Sequence, residues 1–304
     1  MQFLRYIPIL AILSSFLMAC NSSEKDSLAA NFESHAKTRT SHPRNISEDF
    51  KDYWYQGVAE ITSYKLIQER YGELRDGTVV TVFVTEDVLP IVQVKANDQS
   101  KENIPVLKLN STKKYLTGIY PYSVMTSTFS PVNTIDHALK VTNSVQEWCG
   151  QVYLQLNNKK SFEIEAHSYF EGEADQKIKM PKSWLENELW NRIRINPEEL
   201  PTGEITILPS FEYFRMSHQK IATHKATGNL VKGDSISTYT LSYQHLKRKL
   251  KIYFSNDFPY TIEGWEETHA NGLTTTAERM KRLKTAYWGQ NSNKYLRLRD
   301  TLGL

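Results

Sequence analysis

The chain of 304 residues is 23% charged and 40% hydrophobic, with 13 Gly and 11 Pro, which excludes disorder, collagen-like repeats and coiled coil as its main state. Aromatic residues make up 12%, with 17 Tyr among them, and favour strands. A formal charge of +3 is too small to make nucleic acid the default partner, and two cysteines rule out a disulfide framework.

At the N-terminus Arg5 supplies a positive charge. Residues 7–16 are apolar except for Pro8, Ser14 and Ser15, and Leu17, Met18, Ala19 and Cys20 follow. This run is shorter than the ~20 residues of a spanning helix, so it reads as a signal peptide. Its L-M-A-C ending resembles the lipobox of bacterial lipoproteins. The resemblance implies cleavage after residue 19 and acylation at Cys20, an anchor of three acyl chains in a lipid bilayer. Asn21 stands where an Asp would favour the inner membrane, so the expected location is the outer membrane, with the periplasmic and surface faces both open. Residues 20–48 are polar and read as a lipidated tether, and residues 49–304 as a β-rich domain. With Cys20 consumed, Cys149 has no disulfide partner.

Order is expected from Phe50, where D-Y-W-Y follows closely. Residues 58–67 interleave with period two and show no helical period. Asp76-Gly77 reads as a turn, and the β-branched run T-V-V-T-V-F-V after it as a strand. Further strands are expected over 105–110, 118–129, 138–156, 162–170, 205–216, 236–245, 249–255 and 260–268. Asn271-Gly272 is a hairpin signal, and Thr274, Thr275 and Thr276 favour strand over helix for residues 274–288. One helix is expected near 181–195. Pro181 suits its first turn, Trp184, Leu185, Glu188, Leu189, Arg192 and Ile193 follow at helical spacing, and Asn196-Pro197 ends it. The fold class is therefore mainly β: a large curved antiparallel sheet or partial barrel with that one helix. Such a concave sheet shields apolar ligands in lipoprotein carriers.

Five segments carry a further resemblance: residues 52–64 (D-Y-W-Y-Q-G-V-A-E-I-T-S-Y), 104–114, 144–150 (S-V-Q-E-W-C-G), 167–175 and 299–304. Together they resemble an uncharacterised family of bacterial envelope lipoproteins, from about residue 50 to the end. Members sometimes carry the label "septum formation inhibitor Maf", which implies a nucleotide pyrophosphatase with a Ser-rich, Pro-Arg-containing loop. Here the single Pro-Arg is Pro43-Arg44, inside the tether and behind the lipobox. The resemblance thus implies an envelope lipoprotein and gives no support to that enzyme.

Chemistry is sought first in the hairpin around residues 157–160. With Leu156 opposite Phe162, Gln151 lies opposite His167 and Cys149 is its diagonal neighbour, ~5–8 Å away between Cα atoms. A thiol beside an imidazole, with Glu165 to orient the ring, is the minimum for a Cys–His hydrolase or transferase. The competing reading makes Cys149 a buried, unreactive thiol in an aromatic strand. Glu163, Glu165 and His167 align on one strand and need not converge on a metal. No H-x-x-x-H, G-x-S-x-G, G-x-x-x-x-G-K or C-x-x-C occurs, so no cofactor is expected. The C-terminal part is basic, and Arg279, Lys281, Arg282, Lys284, Arg297 and Arg299 form a patch suited to an anionic glycan or lipid headgroup, or a solvated strand face. The sequence therefore points to a non-enzymatic, bilayer-anchored module for a lipid, glycan or envelope-protein partner, with Cys–His chemistry as the alternative.

Overall fold

The computed structural model describes residues 42–304. The expected signal peptide, Cys20 and most of the expected tether lie outside the described residues. Eight strands form the first half of the one sheet among the described residues: β1 (Ala59–Arg70), β2 (Glu73–Val88), β3 (Ile104–Thr117), β4 (Tyr120–Pro131), β5 (Lys140–Glu147), β6 (Gly150–Asn158), β7 (Phe162–Ser168) and β8 (Gln176–Met180). The second half comprises β9 (Trp184–Leu185), β10 (Gly203–Leu208), β11 (His224–Lys232), β12 (Ile236–Tyr243), β13 (Arg248–Ser255), β14 (Ile262–Thr268) and β15 (Thr274–Thr285). Among the described residues four short α-helices accompany them: α1 (Glu48–Trp54), α2 (Leu189–Ile195), α3 (Phe211–Ser217) and α4 (Arg297–Thr301).

The 15 strands follow the order β8-β7-β6-β5-β4-β3-β2-β1-β15-β14-β13-β12-β11-β10-β9. Neighbours are antiparallel except β9 and β10, which pair in parallel. The two edge strands, β8 and β9, are consecutive in sequence. Only residues 181–183 join them, so the edges lie within ~15 Å of each other. The sheet must therefore curl until its edges approach, although they do not pair. This is the expected mainly β fold with a large antiparallel sheet.

Strand periodicity sets what faces inward. On β1, Glu60, Thr62, Tyr64, Leu66, Gln68 and Arg70 occupy one phase, and all are buried. Tyr64 and Leu66 share one core with Leu107, Val124, Leu241 and Ile252 from both halves of the sheet, and with Leu189 and Ile193 of α2. The helix thus packs within the curl, and truncating Ile193 to Ala would cost about 2–5 kcal/mol. The opposite phase of β1 is covered at Ser63, whose hydroxyl donates to the Leu302 carbonyl.

Several local expectations need correction. The helix expected over 181–195 begins at Leu189: Trp184 and Leu185 pair with Ile207 and Leu208, and a 3-10 turn spans Glu186–Glu188. Residues 211–217 are helix rather than strand, because Ser210 caps Tyr213 and puts Phe211 and Phe214 on one buried face. Asp76-Gly77 is no turn. Gly77 lies mid-strand between Leu66 and Tyr115, where any Cβ would strike the Lys114 carbonyl. The turn falls at Tyr71-Gly72, both left-handed (φ 58° and 74°). The stretch 138–156 is broken into β5 and β6 at Trp148-Cys149. Order also begins before Phe50: Pro43 bridges Thr134, and Arg44 grips Glu199 through Nε (2.8 Å) and Nη2 (2.5 Å).

Candidate functional site

The residues singled out from sequence do not converge. Cys149 is exposed in the β5–β6 turn, correcting the expected burial. Its backbone N–H donates to the Glu147 carboxylate, and the hydrogen bond and charge of Glu147 push the thiol pKa up, away from the thiolate. His167 lies opposite Tyr153, because Phe162 pairs with Asn158 rather than Leu156. That two-residue shift puts about four residues, or ~13 Å of strand, between Cys149 and the position opposite His167. His167 instead faces Asp175 at 3.3 Å, Glu165 faces Lys177 at 3.6 Å, and Glu163 lies between Lys159 (3.1 Å) and Lys179 (3.2 Å). No group of three or more His, Cys, Asp or Glu able to hold a metal exists among the described residues.

The basic patch is likewise divided. Arg279 pairs with Glu263 at 2.7 Å, Arg282 donates to Thr261, and Lys284 donates to the Tyr53 carbonyl over the Tyr53 ring. Lys281, Arg297 and Arg299 are exposed and carry no ion pair among the described residues.

A different site emerges where the β1–β2, β12–β13 and β14–β15 turns meet α3. These turns lie at one end of the sheet, opposite the end at which Pro43 joins it. They enclose a cleft of about 520 Å³, within the ~300–1,000 Å³ of small-molecule sites. A second cavity beside Val152, Ala166 and Phe214 measures only about 30 Å³. The cleft wall includes Arg70 and Tyr71 from the first turn, Tyr213 and Met216 from α3, Leu246, and Ala270 from the last turn. Most of its lining is polar or charged, and Tyr71, Tyr213, Met216, Leu246 and Ala270 supply its aromatic and apolar part.

Each wall segment has a local cause. Left-handed Tyr71 and Gly72 make the two-residue β1–β2 turn, and a tyrosine there costs ~1–2 kcal/mol of backbone strain. Its hydroxyl reaches Tyr122 at 2.7 Å, and its ring covers the Arg70 guanidinium at 4.2 Å from the centroid. At the β14–β15 turn, the expected hairpin at Asn271-Gly272, the Leu273 N–H donates to the Asn271 side chain. Sequence reading missed this site because its residues come from four distant segments. One signal was present: Arg70 continues the phase of Tyr64 and Leu66 on β1.

Charges around the cleft are largely matched. Glu267 accepts from Arg248 Nε at 2.5 Å, and Glu212 accepts from Lys113 at 2.6 Å. Burial would raise the Glu267 pKa, but Arg248 and then His269 outweigh it and hold the carboxyl down to about 2. The Glu69 carboxylate accepts from the Gly72 N–H and from Asn271. Such an arrangement binds and orients. No nucleophile–base pair of the Cys–His kind is assembled in it.

Comparison with models of protein families and with curated proteins yields no match to this chain.

Proposed function

We propose that this protein is a lipid-anchored envelope lipoprotein whose curled sheet is a non-enzymatic binding module, with the turn-end cleft as its ligand site. The carrying observation is the cleft itself: about 520 Å³, walled by polar, aromatic and apolar side chains from three turns and one helix. Its size favours a small molecule, such as a lipid or glycan fragment, over a protein partner. The anchor rests on the L-M-A-C ending at Cys20, and the outer-membrane location on Asn21. The cleft lies at the end of the sheet opposite the Pro43–Thr134 bridge.

Intact-mass analysis of membrane-extracted protein is expected to find a chain that starts at modified Cys20. A soluble species retaining residues 1–19 would overturn the anchor. Solvent extraction of protein purified from native membranes is expected to release a small molecule, in lower yield from Ala270→Trp, whose added indole narrows the cleft.

A further inference from the structure

Five arginines are buried among the described residues: Arg70, Arg192, Arg194, Arg215 and Arg248. Four have carboxylate partners. Arg192 faces Glu188 at 3.3 Å, Arg194 holds Glu60 at 2.5 and 2.8 Å, Arg215 faces Glu147 at 3.2 Å, and Arg248 holds Glu186 at 2.6 and 2.7 Å. Arg70, only 8% exposed, has none within 4.0 Å among the described residues. Its guanidinium donates through Nη1 to the Met216 carbonyl at 2.9 Å, and through Nη2 to the Tyr71 and Tyr122 hydroxyls at 3.3 and 3.4 Å. Nε, shielded from solvent, has no partner among the described residues. These contacts occupy donors and leave the charge uncompensated, a costly condition for a buried cation.

The unpartnered Nε and the weakly held Nη2, whose hydroxyl contacts are 3.3 and 3.4 Å long, have a useful geometry. Nε and Nη2 form the side-on fork of a guanidinium, the same pair with which Arg44 grips Glu199. The three carboxylates of the cleft wall are engaged elsewhere: Glu212 with Lys113, Glu267 with Arg248, and Glu69 with Gly72 and Asn271. Tyr71, 58% exposed on its left-handed turn, covers the fork and is the group an incoming oxyanion displaces.

We propose that Arg70 anchors an oxyanion subsite in this cleft, taking the carboxylate or phosphate of an amphiphilic small molecule whose apolar part lies against Tyr213, Met216 and Leu246. This deepens the reading of the cleft as a ligand site and rests on it. The side-on fork favours a planar or tetrahedral oxyanion over a neutral hydroxyl, because both hydrogen bonds are then charge-assisted.

The test uses the full chain in non-ionic detergent, titrated calorimetrically with phenyl phosphate, phenylacetate and benzyl alcohol. Parent protein is expected to bind at least one anion more tightly than the alcohol, and the tighter anion identifies phosphate or carboxylate as the natural head group. Arg70→Met is expected to weaken that anion on the order of ten- to a hundredfold while leaving benzyl alcohol unchanged. Arg70→Lys, which keeps the charge and loses the fork, provides a second variant and is expected to weaken the anion as well. Without probes, the Tm of Arg70→Met is expected to match or exceed that of the parent, since no carboxylate is orphaned.

Equal binding of anions and alcohol by the parent, or unchanged anion binding in both variants, overturns the subsite and leaves the cleft reading standing. So does a fall in Tm for Arg70→Met as large as that for Arg194→Met. No binding of any probe, with Ala270→Trp identical to the parent, overturns the cleft reading as well.

Discussion

Carboxylates and cations cluster in two regions of this molecule, and the clusters differ in almost everything except composition. Around α2, Glu60, Glu186 and Glu188 are sealed inside the curl with Arg194, Arg248 and Arg192. On β7, Glu163, Glu165 and His167 meet Lys179 and Lys177 of β8 and Asp175, just before it, in solvent. Two of the interior pairs are bidentate: Glu60 takes two guanidinium nitrogens of Arg194 and the Tyr53 hydroxyl, and Glu186 takes two of Arg248. Glu188 faces Arg192 through one contact at 3.3 Å and also accepts from the Ala138 N–H. The outer pairs are single contacts between side chains that are mostly half-exposed or more. The difference teaches that burial, not residue type, sets how strongly such a pair weighs on the fold. It also shows why the outer cluster attracted notice in the sequence while carrying no assembled chemistry.

The sharpest way to break the comparison is Arg194→Met. It leaves Glu60 buried with its charge unmatched except by Arg282 at 4.0 Å, and is expected to cost about 3–5 kcal/mol in denaturant unfolding. Adding Glu60→Gln should restore most of that loss, because both charges then leave the interior together. A single variant as stable as the parent would refute the assignment of the pair to the core.

Acid sharpens it next. Burial alone would raise the Glu188 pKa, but Arg192 and His137, with hydrogen bonds from His137 and the Ala138 N–H, hold it down to about 2. Its unfolded value is near 4.5, so the stability Glu188 contributes is complete above that pH and is lost as pH falls towards about 2. Unfolding free energy measured from pH 5 to 2.5 should therefore fall, and Glu188→Gln should show a shallower acid limb. Equal slopes for parent and variant would contradict the coupling.

The smallest effect belongs to the outer cluster. Lys177→Ala removes the partner of Glu165 from a pair whose side chains are 84% and 52% exposed, and should shift unfolding by no more than about 0.5 kcal/mol. A loss of the size expected for Arg194→Met would erase the distinction between the two regions.

The cleft adds a third condition. Arg70 is buried like the arginines around α2 but unmatched, and it came from no motif. The sequence nevertheless held part of its position. The period-two pattern of residues 58–67 already put Tyr64 and Leu66 on one phase, and Arg70 continues that phase to the end of β1. What sequence could not supply was the absence of a carboxylate. Partners such as Glu60 for Arg194 or Glu186 for Arg248 lie 134 and 62 residues away along the chain.

Local pattern alone determined the strand-rich class, the Asn271-Gly272 hairpin and the strand after it, because β-branching and side-chain alternation act within a few residues. Tertiary structure decided the rest. The register of β6 on β7 moved by two residues, since several pairings keep the same alternating faces and only the neighbouring strands choose between them. That shift separated Cys149 from His167. The helix expected from residue 181 lost its first turns to the parallel pairing of Trp184 and Leu185 with β10, a contact no local propensity encodes. The cleft itself exists only because the sheet curls, which brings the turn after β1, the helix after β10 and the turns after β12 and β14 to one place.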